Sequence, residues 1–342
     1  MNSNTTVIIP AHNRPQRLQR LLDYYAGSGI RIIVPDSSTE NFIGHYDPDT
    51  TTYLHRPGLH FLLKIKEVLP MISTPYVLYC ADDDFAVPEA IEQITDFLDH
   101  NPGYSIAQGH YLTFIPTPKK ITFRPRYIRY FDSRVTSDDP AVRLEEKRHG
   151  IYAPLLYGVA RTDAFRTIYS YCFDGDGKLR FENLFLAEEF FNNAMLIMGK
   201  YATLPCFFSA REQIHGSATS FTTPISVIKS SPEQRCQYDG YLTALASLLA
   251  DRNPMSFTEA LALIARLEDT PADTAPVTFK RRVVYFLGRH RILAPLERLS
   301  VWRYNRKGLK AVRGMESYPC TFSTPQRLAI EQAVRSQPSD RP

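Results

Sequence analysis

The chain has little that would staple it covalently. Its five cysteines, Cys80, Cys172, Cys206, Cys236 and Cys320, are odd in number, scattered, and never spaced C-x-x-C. That pattern disfavours a disulfide scaffold and a thiolate zinc site, and it makes a reducing cytoplasm the expected compartment. No uncharged apolar run reaches the roughly 18 residues that would span a bilayer. The first residues lead straight into a strand-like segment, without a basic flank and apolar core, so no signal peptide is expected. There is a single Trp, no internal repeat and no low-complexity tract. No zinc finger or helix-turn-helix pattern is visible, so nucleic acid is not an expected partner.

What is present suits a folded protein. Of 342 residues, 44% are hydrophobic, which supports a substantial core and one large or two smaller domains. The net charge of +4 hides an asymmetry. Residues 280–313 hold eleven Lys/Arg against one acid, Glu297, so that stretch is +10 and the remainder sums to −6. A basic segment on a mildly acidic body points to an anionic partner for that segment.

The first 110 residues alternate between strand and helix patterns. TTVIIP (5–10), IRIIVP (30–35), PYVLYC (75–80) and YSIAQGHY (104–111) read as strands. Between them, 14–25, 60–71 and 87–98 place apolar residues at helical spacing. Such alternation predicts a largely parallel sheet covered by helices, with ligands gathering beyond the carboxyl ends of its strands. The polar residues after Pro10, Pro35 and Cys80 should then converge on one rim. Residues 116–148 are rich in Pro and then in charge and read as loops; 182–198 reads as a helix, 201–208 as a strand and 227–268 as helices. TPADTAP (270–276) reads as a linker.

Three carboxylates, Asp82, Asp83 and Asp84, follow the third strand directly. Like charges so close repel, and a divalent cation relieves that. Mg²⁺ and Mn²⁺ take hard oxygen ligands, often one or two carboxylates plus substrate phosphates. On an extended backbone Asp82 and Asp84 face the same way, which makes them the candidate metal ligands and leaves Asp83 for a sugar hydroxyl or ribose. The plainer alternative is a solvated acidic turn capping the helix that begins near Pro88.

VIIPAHNRPQRL (7–18), IIVPDSSTE (32–40) and PYVLYCADDDFAVPEAI (75–91) together resemble the nucleotide-sugar site of GT-A-fold glycosyltransferases, most closely family 2. The resemblance covers residues 5–110 and extends loosely to about 220. It implies a GT-A-like, Rossmann-like α/β fold with a mostly parallel sheet. It also implies inverting transfer from a nucleotide sugar to a saccharide or lipid-linked saccharide, with Mn²⁺ or Mg²⁺, in cell-surface polysaccharide or glycolipid synthesis. On this match Pro10, Ala11, His12, Asn13 and Arg14 cradle the nucleobase and Asp36 binds it. Asp82–Asp84 correspond to the D-x-D-type motif. Two positions depart: Pro35 and Ala81 stand where the family often carries an acid.

An inverting transfer needs a general base for the acceptor hydroxyl. Glu188 and Glu189 match the family's acidic pair, whose second member is the base, so Glu189 is the expected base and Glu188 its neighbour. The alternative is that both simply sit in a helix's first turn and face water. In FFSAREQIHGSATS (207–220), Arg211 can pair with phosphate and His215 is a candidate metal ligand. Lys64 and Lys66 could reach phosphate, although lysines there are ordinarily solvated. The organisation expected is a catalytic domain over 1–226, with a nucleotide-sugar half (1–110) and an acceptor half (111–226), then a helical, basic extension over 227–342. Residues 279–314 alternate basic and apolar side chains and include Trp302, a composition that suits peripheral contact with an anionic membrane. Two rival functions remain open. A nucleotidyltransferase would want a Gly-rich loop after the first strand, and AHNRP has no glycine. A non-catalytic binding module would not need the acids, and they are present.

Overall fold

The computed structural model describes residues 4–117, 120–127, 133–150, 154–213, 225–232, 234–269 and 324–336. The polypeptide is an α/β protein built on a ten-stranded mixed sheet flanked by helices. Strands β1 (Thr5–Ile8), β2 (Arg31–Asp36), β3 (Thr51–His55) and β4 (Tyr76–Tyr79) run parallel in the order β3-β2-β1-β4. The helices between them are α1 (Pro15–Tyr25) and α2 (Phe61–Val68). Next come β5 (Asp84–Ala86), α3 (Pro88–His100), β6 (Tyr104–Pro116), β7 (Ile121–Arg126), β8 (Arg134–Val135) and α4 (Pro140–Gly150). They are followed by β9 (Val159–Arg161), α5 (Thr162–Tyr171), α6 (Leu184–Met198) and β10 (Lys200–Glu212). From β4 the sheet continues β9-β6-β10-β5, with β7 on β6 and β8 on β10. Here parallel and antiparallel pairs mix, because β9 runs against both β4 and β6 and β5 runs against β10.

Strand alternation divides the core in two. Ile8, Ile33, Val77, Tyr79 and Ile106 point to one face, where they meet α2, α5, α6, α8 (Arg235–Arg252) and α9 (Phe257–Asp269), helices that follow the short α7 (Ile225–Ser230). Val7, Ile9, Ile32, Val34, Leu78 and Cys80 point to the other, onto α1, α3 and α10 (Thr324–Ser336). A period of two in side-chain direction makes one strand serve both cores. α1 starts where Pro15 supplies the preset φ of a first helical residue, and it buries Leu18, Leu21, Leu22 and Tyr25. Each such side chain, fully buried, contributes about 1.5–3 kcal/mol.

The segment 116–148, expected to be loops, holds β7, β8 and α4. Its prolines misled: Pro125 lies in a strand paired only to β6, and Pro140 opens α4, two positions where a missing N–H costs little. Helix α8 is not peripheral. Tyr241, Leu245 and Leu249 are fully buried in the cluster that includes Phe190 and Phe191 of α6. Gly240 permits the approach, since a Cβ there would stand 2.1 Å from the Arg180 carbonyl oxygen. The linker expected at 270–276 and the basic stretch 279–314 lie outside the described residues. Among the described residues no helix is long and apolar enough to cross a membrane.

Candidate functional site

The carboxyl ends of β1, β2 and β4 lie side by side, and three polar segments leave from them. After β1, Ala11 pairs with the end of β2, its N–H donating to Pro35 O (3.2 Å) and its carbonyl accepting from Ser37 N–H (3.1 Å). Asn13 turns the chain at φ +52°, a conformation that asparagine tolerates better than most residues. Its N–H donates to Ser38 Oγ (2.7 Å) and its Oδ1 accepts from Thr39 N–H (3.0 Å). His12 Nδ1 lies 3.1 Å from both Ser37 O and Ser37 Oγ. The 10–14 loop is thus stitched to the 36–39 turn, with Ala11 inside, Pro10 half-buried, and His12 and Asn13 exposed.

Asp36 is buried, and both its oxygens are occupied. Oδ1 accepts from Ser38 N–H (2.8 Å) and the Ser38 hydroxyl, and Oδ2 accepts from Tyr53 O–H (2.8 Å). In this arrangement Asp36 orders the turn. Lys64 is not solvated, contrary to the expectation from its place on α2; it is 4% exposed. Its ammonium donates to Ala11 O (2.7 Å) and Ser37 Oγ (3.0 Å), joining the two segments from beneath. Burial lowers its pKa to about 8, against the opposing pull of Asp36 and Asp82.

The third segment is the aspartate turn. The chain after β4 does not stay extended: residues 82 and 83 form a turn closed by Asp84 N–H on Ala81 O (3.0 Å). The premise that Asp82 and Asp84 share a face therefore fails. Asp82 and Asp83 instead share one guanidinium, Arg14 Nη1, at 3.1 and 3.2 Å. Asp84 lies in β5, opposite Arg211 of β10, and its Oδ2 accepts from Arg211 Nε at 2.8 Å. None of the three caps α3, which begins after Val87 with no side-chain cap. A solvated turn is also ruled out, since Asp82 and Asp84 are 6% and 4% exposed. Burial pushes both carboxyls up; Asp83 adds to the rise at each, while Arg14 opposes it at Asp82 and Arg211 at Asp84.

Glu188 and Glu189 lie on α6 beyond its first turn, which Asn183 caps through Phe185 and Leu186 N–H. The helix-terminus explanation does not apply. The two side chains have different neighbours. Glu189, the expected base, is held by Lys147 Nζ (3.1 Å), which also donates to Asn193 Oδ1 (2.8 Å). Glu188 is pushed above the ordinary glutamate range by burial, with Arg211 pulling it down and Glu189 adding to the rise. Arg211 stacks 4.1 Å above the Tyr157 ring, and that phenol feels the charges of Glu188, Arg211 and Asp84. The charge of Arg211 thus bears on Glu188 as well as on Asp84, its ion-pair partner.

Several residues here escaped the sequence reading: Tyr157, Lys147, and the set Arg17, Arg20 and Glu212. Glu212 accepts from Arg20 (2.7 Å) and Arg17 (3.4 Å), and its N–H donates to Asp83 O (3.2 Å). The signal was the spacing of Arg14, Arg17 and Arg20 by three, which sets them along one side of a helix. His215 lies outside the described residues.

The fit of a divalent cation follows from the donor set. Asp82 and Asp83, brought to one guanidinium, set two hard oxygen donors side by side. Among the described residues no group of three or more His, Cys, Asp or Glu side chains forms a metal cage. The donors fit a cation shared with a diphosphate and do not form a stand-alone site. A cavity of about 550 Å³ lies elsewhere, lined by Pro75, Gly103, Arg161 and Arg166 at the opposite ends of β4 and β6. Its arginines already donate to main-chain carbonyls, Arg161 to Tyr104 O and Arg166 to Ile72 O.

No protein-family model matches this chain, and no curated protein does. Among solved structures it is similar to TarS of S. aureus, as residues 1–349 with UDP (TM-score 0.47) and with UDP-GlcNAc (TM-score 0.46). Both pairs are 12% identical over 78% of this chain, covering 70% and 71% of the other. Against the longer TarS chain the TM-score is 0.44, and the match spans 42% of that chain. At this identity and TM-score the likeness carries no functional argument.

Proposed function

We propose that the protein is a GT-A-type glycosyltransferase that moves a sugar, with inversion and with a divalent cation, from a nucleotide sugar to a saccharide or lipid-linked saccharide. One observation carries the reading. A rim built from three parallel strand ends joins a polar cradle and an acidic turn, and Arg211, paired to Asp84, brings its charge to bear on a half-buried glutamate of a separate helix.

Each part has work to do in that reaction. The stitched 10–14 and 36–39 segments, braced by Lys64, offer a rigid wall with His12 and Asn13 outermost, suited to the nucleoside. Asp36 holds that wall in shape. Asp82 and Asp83 are the pair that would hold Mn²⁺ or Mg²⁺, since they already share a cationic partner. The ion, when bound, offsets the charge developing on the departing diphosphate. Glu188 takes the proton from the acceptor hydroxyl; its raised pKa suits a base working near neutral pH. Arg211, paired to Asp84, would temper the charge on Glu188. The sequence match favours Glu189 for the base; the Lys147 ion pair argues for Glu188. The Lys- and Arg-rich composition of residues 279–314 would suit bringing such an enzyme to a lipid-linked acceptor at the inner face of a membrane.

A thermal-shift screen of UDP-, GDP- and CMP-sugars, with and without Mn²⁺, tests the donor. One nucleotide class should stabilise the protein in a Mn²⁺-dependent way, and Asp83→Ala should remove the metal-dependent part. Glu188→Gln should still bind that donor while turnover falls on the order of 10²–10⁴-fold; Glu189→Gln should lose much less. Absence of any nucleotide-sugar shift, with or without Mn²⁺, sinks the reading. Full turnover in Glu188→Gln sinks the base assignment alone.

A further inference from the structure

Arg14 stands where a cation would otherwise stand. Its Nη1 bridges Asp82 Oδ1 and Asp83 Oδ2 at 3.1 and 3.2 Å, and Arg211 occupies Asp84. The carboxylates proposed to receive a divalent ion are therefore already engaged. Resting on the metal-assisted reading above, we propose that Arg14 is an internal counter-cation. It competes with the divalent ion for Asp82 and Asp83, and releases them when a nucleoside diphosphate arrives to take the guanidinium.

The anatomy of Arg14 suits that exchange. Its side chain is 27% exposed against 7% and 14% for its two partners, so Arg14 is the most accessible member of the set. It is the N-cap residue of α1, and its backbone is fixed by Pro15 and by the bonded Asn13. The side chain can therefore swing while the chain stays still. A planar guanidinium pairs as readily with phosphate oxygens as with carboxylates. A diphosphate offers it a more highly charged partner, while Asp82 and Asp83, once released, offer the metal two hard oxygens. Arg17 and Arg20 are different: both are tied to Glu212, and Arg20 is sealed at 1% exposure. Binding of ion and diphosphate is then mutually strengthening, and by linkage each raises the affinity of the other by the same factor.

The test is a Mn²⁺ titration of the full chain by EPR, with and without UDP, GDP or CDP. Wild type, Arg14→Gln and, as a remote control, Arg235→Gln are compared. In wild type, the effective diphosphate should tighten Mn²⁺ binding at least tenfold. Without nucleotide, Arg14→Gln should bind Mn²⁺ at least tenfold more tightly than wild type, and Arg235→Gln should match wild type. Arg14→Gln binding Mn²⁺ no better than wild type overturns the proposal while leaving the metal reading intact. A wild type whose Mn²⁺ affinity ignores all three diphosphates overturns the proposal and the shared-cation reading together, an arm that needs no variant to fold. If no Mn²⁺ binds either protein under any condition, the metal reading itself falls.

Discussion

Lys64 shows at the scale of one residue how function and stability separate. An ammonium buried beneath the 10–14 and 36–39 segments loses hydration, and its pKa falls from 10.5 to about 8. The sign of the linkage follows. Between pH 8 and 10.5 the unfolded chain keeps this proton and the folded chain does not, so stability rises with pH across that window. Below it the full penalty, on the order of 3 kcal/mol, is present. Lys64→Met should therefore unfold no earlier than wild type at pH 7, and the wild type should gain on the variant between pH 8 and 10.5 in chemical denaturation. Nucleotide binding by Lys64→Met should weaken. A variant that is less stable at neutral pH, with unchanged binding, would make Lys64 a purely structural strut. Its place was not legible in the sequence, since a lysine two residues from Lys66 on a short helix looks like a wetted face. Glu188 and Glu189 teach the same lesson. Their adjacency was plain, but only the fold shows that Lys147 claims one of them.

At the scale of elements, α1 and the end of β10 clamp the aspartate turn between them. Arg20 lies under the Phe85 and Phe114 rings, with its Nη2 on Glu212 and no hydrogen-bond partner for Nε or Nη1. Glu212→Ala leaves this guanidinium buried and unpaired, a change that costs about 3–5 kcal/mol. A fall of that size in urea unfolding is expected, and Arg20→Met should be milder because it removes the charge along with its need for a partner. Much of this framework could be read beforehand. β1, β2, β4 and β6 declare themselves by β-branched runs, and α1, α3 and α6 by spacing. Several of the elements that hid have residues unlike their type. β5 opens on a carboxylate and is three residues long, β7 contains Pro125, and α5 (TDAFRTIYSY) is rich in aromatic and β-branched residues. The facing of Asp82 and Asp84 was misjudged for a related reason. A period of two holds only while the backbone is extended, and it turns at residue 82.

At the scale of the whole molecule, the helix bearing Glu188 is wedged between the sheet and α8. Asn193 of α6 donates to Tyr241 O–H (2.9 Å), and that hydroxyl donates to Glu268 of α9 (3.0 Å). Helix α6 therefore depends on chain that follows residue 226. Gly240→Ala tests this at a distance from the cleft, because its new Cβ must displace the Arg180 backbone. A loss of about 1–3 kcal/mol is expected, as for overpacking elsewhere. An unchanged melting temperature would mean that α8 rests on the chain at Arg180, just ahead of α6, more loosely than that 2.1 Å approach indicates. The outermost strand has a quieter part. Tyr53 reaches from β3 to brace Asp36, so the margin of the sheet shares in the order of the 36–39 turn. Whatever settles against that turn should slow amide exchange along residues 51–55, and the border strand of the sheet becomes a gauge of occupancy that needs no label in the cleft.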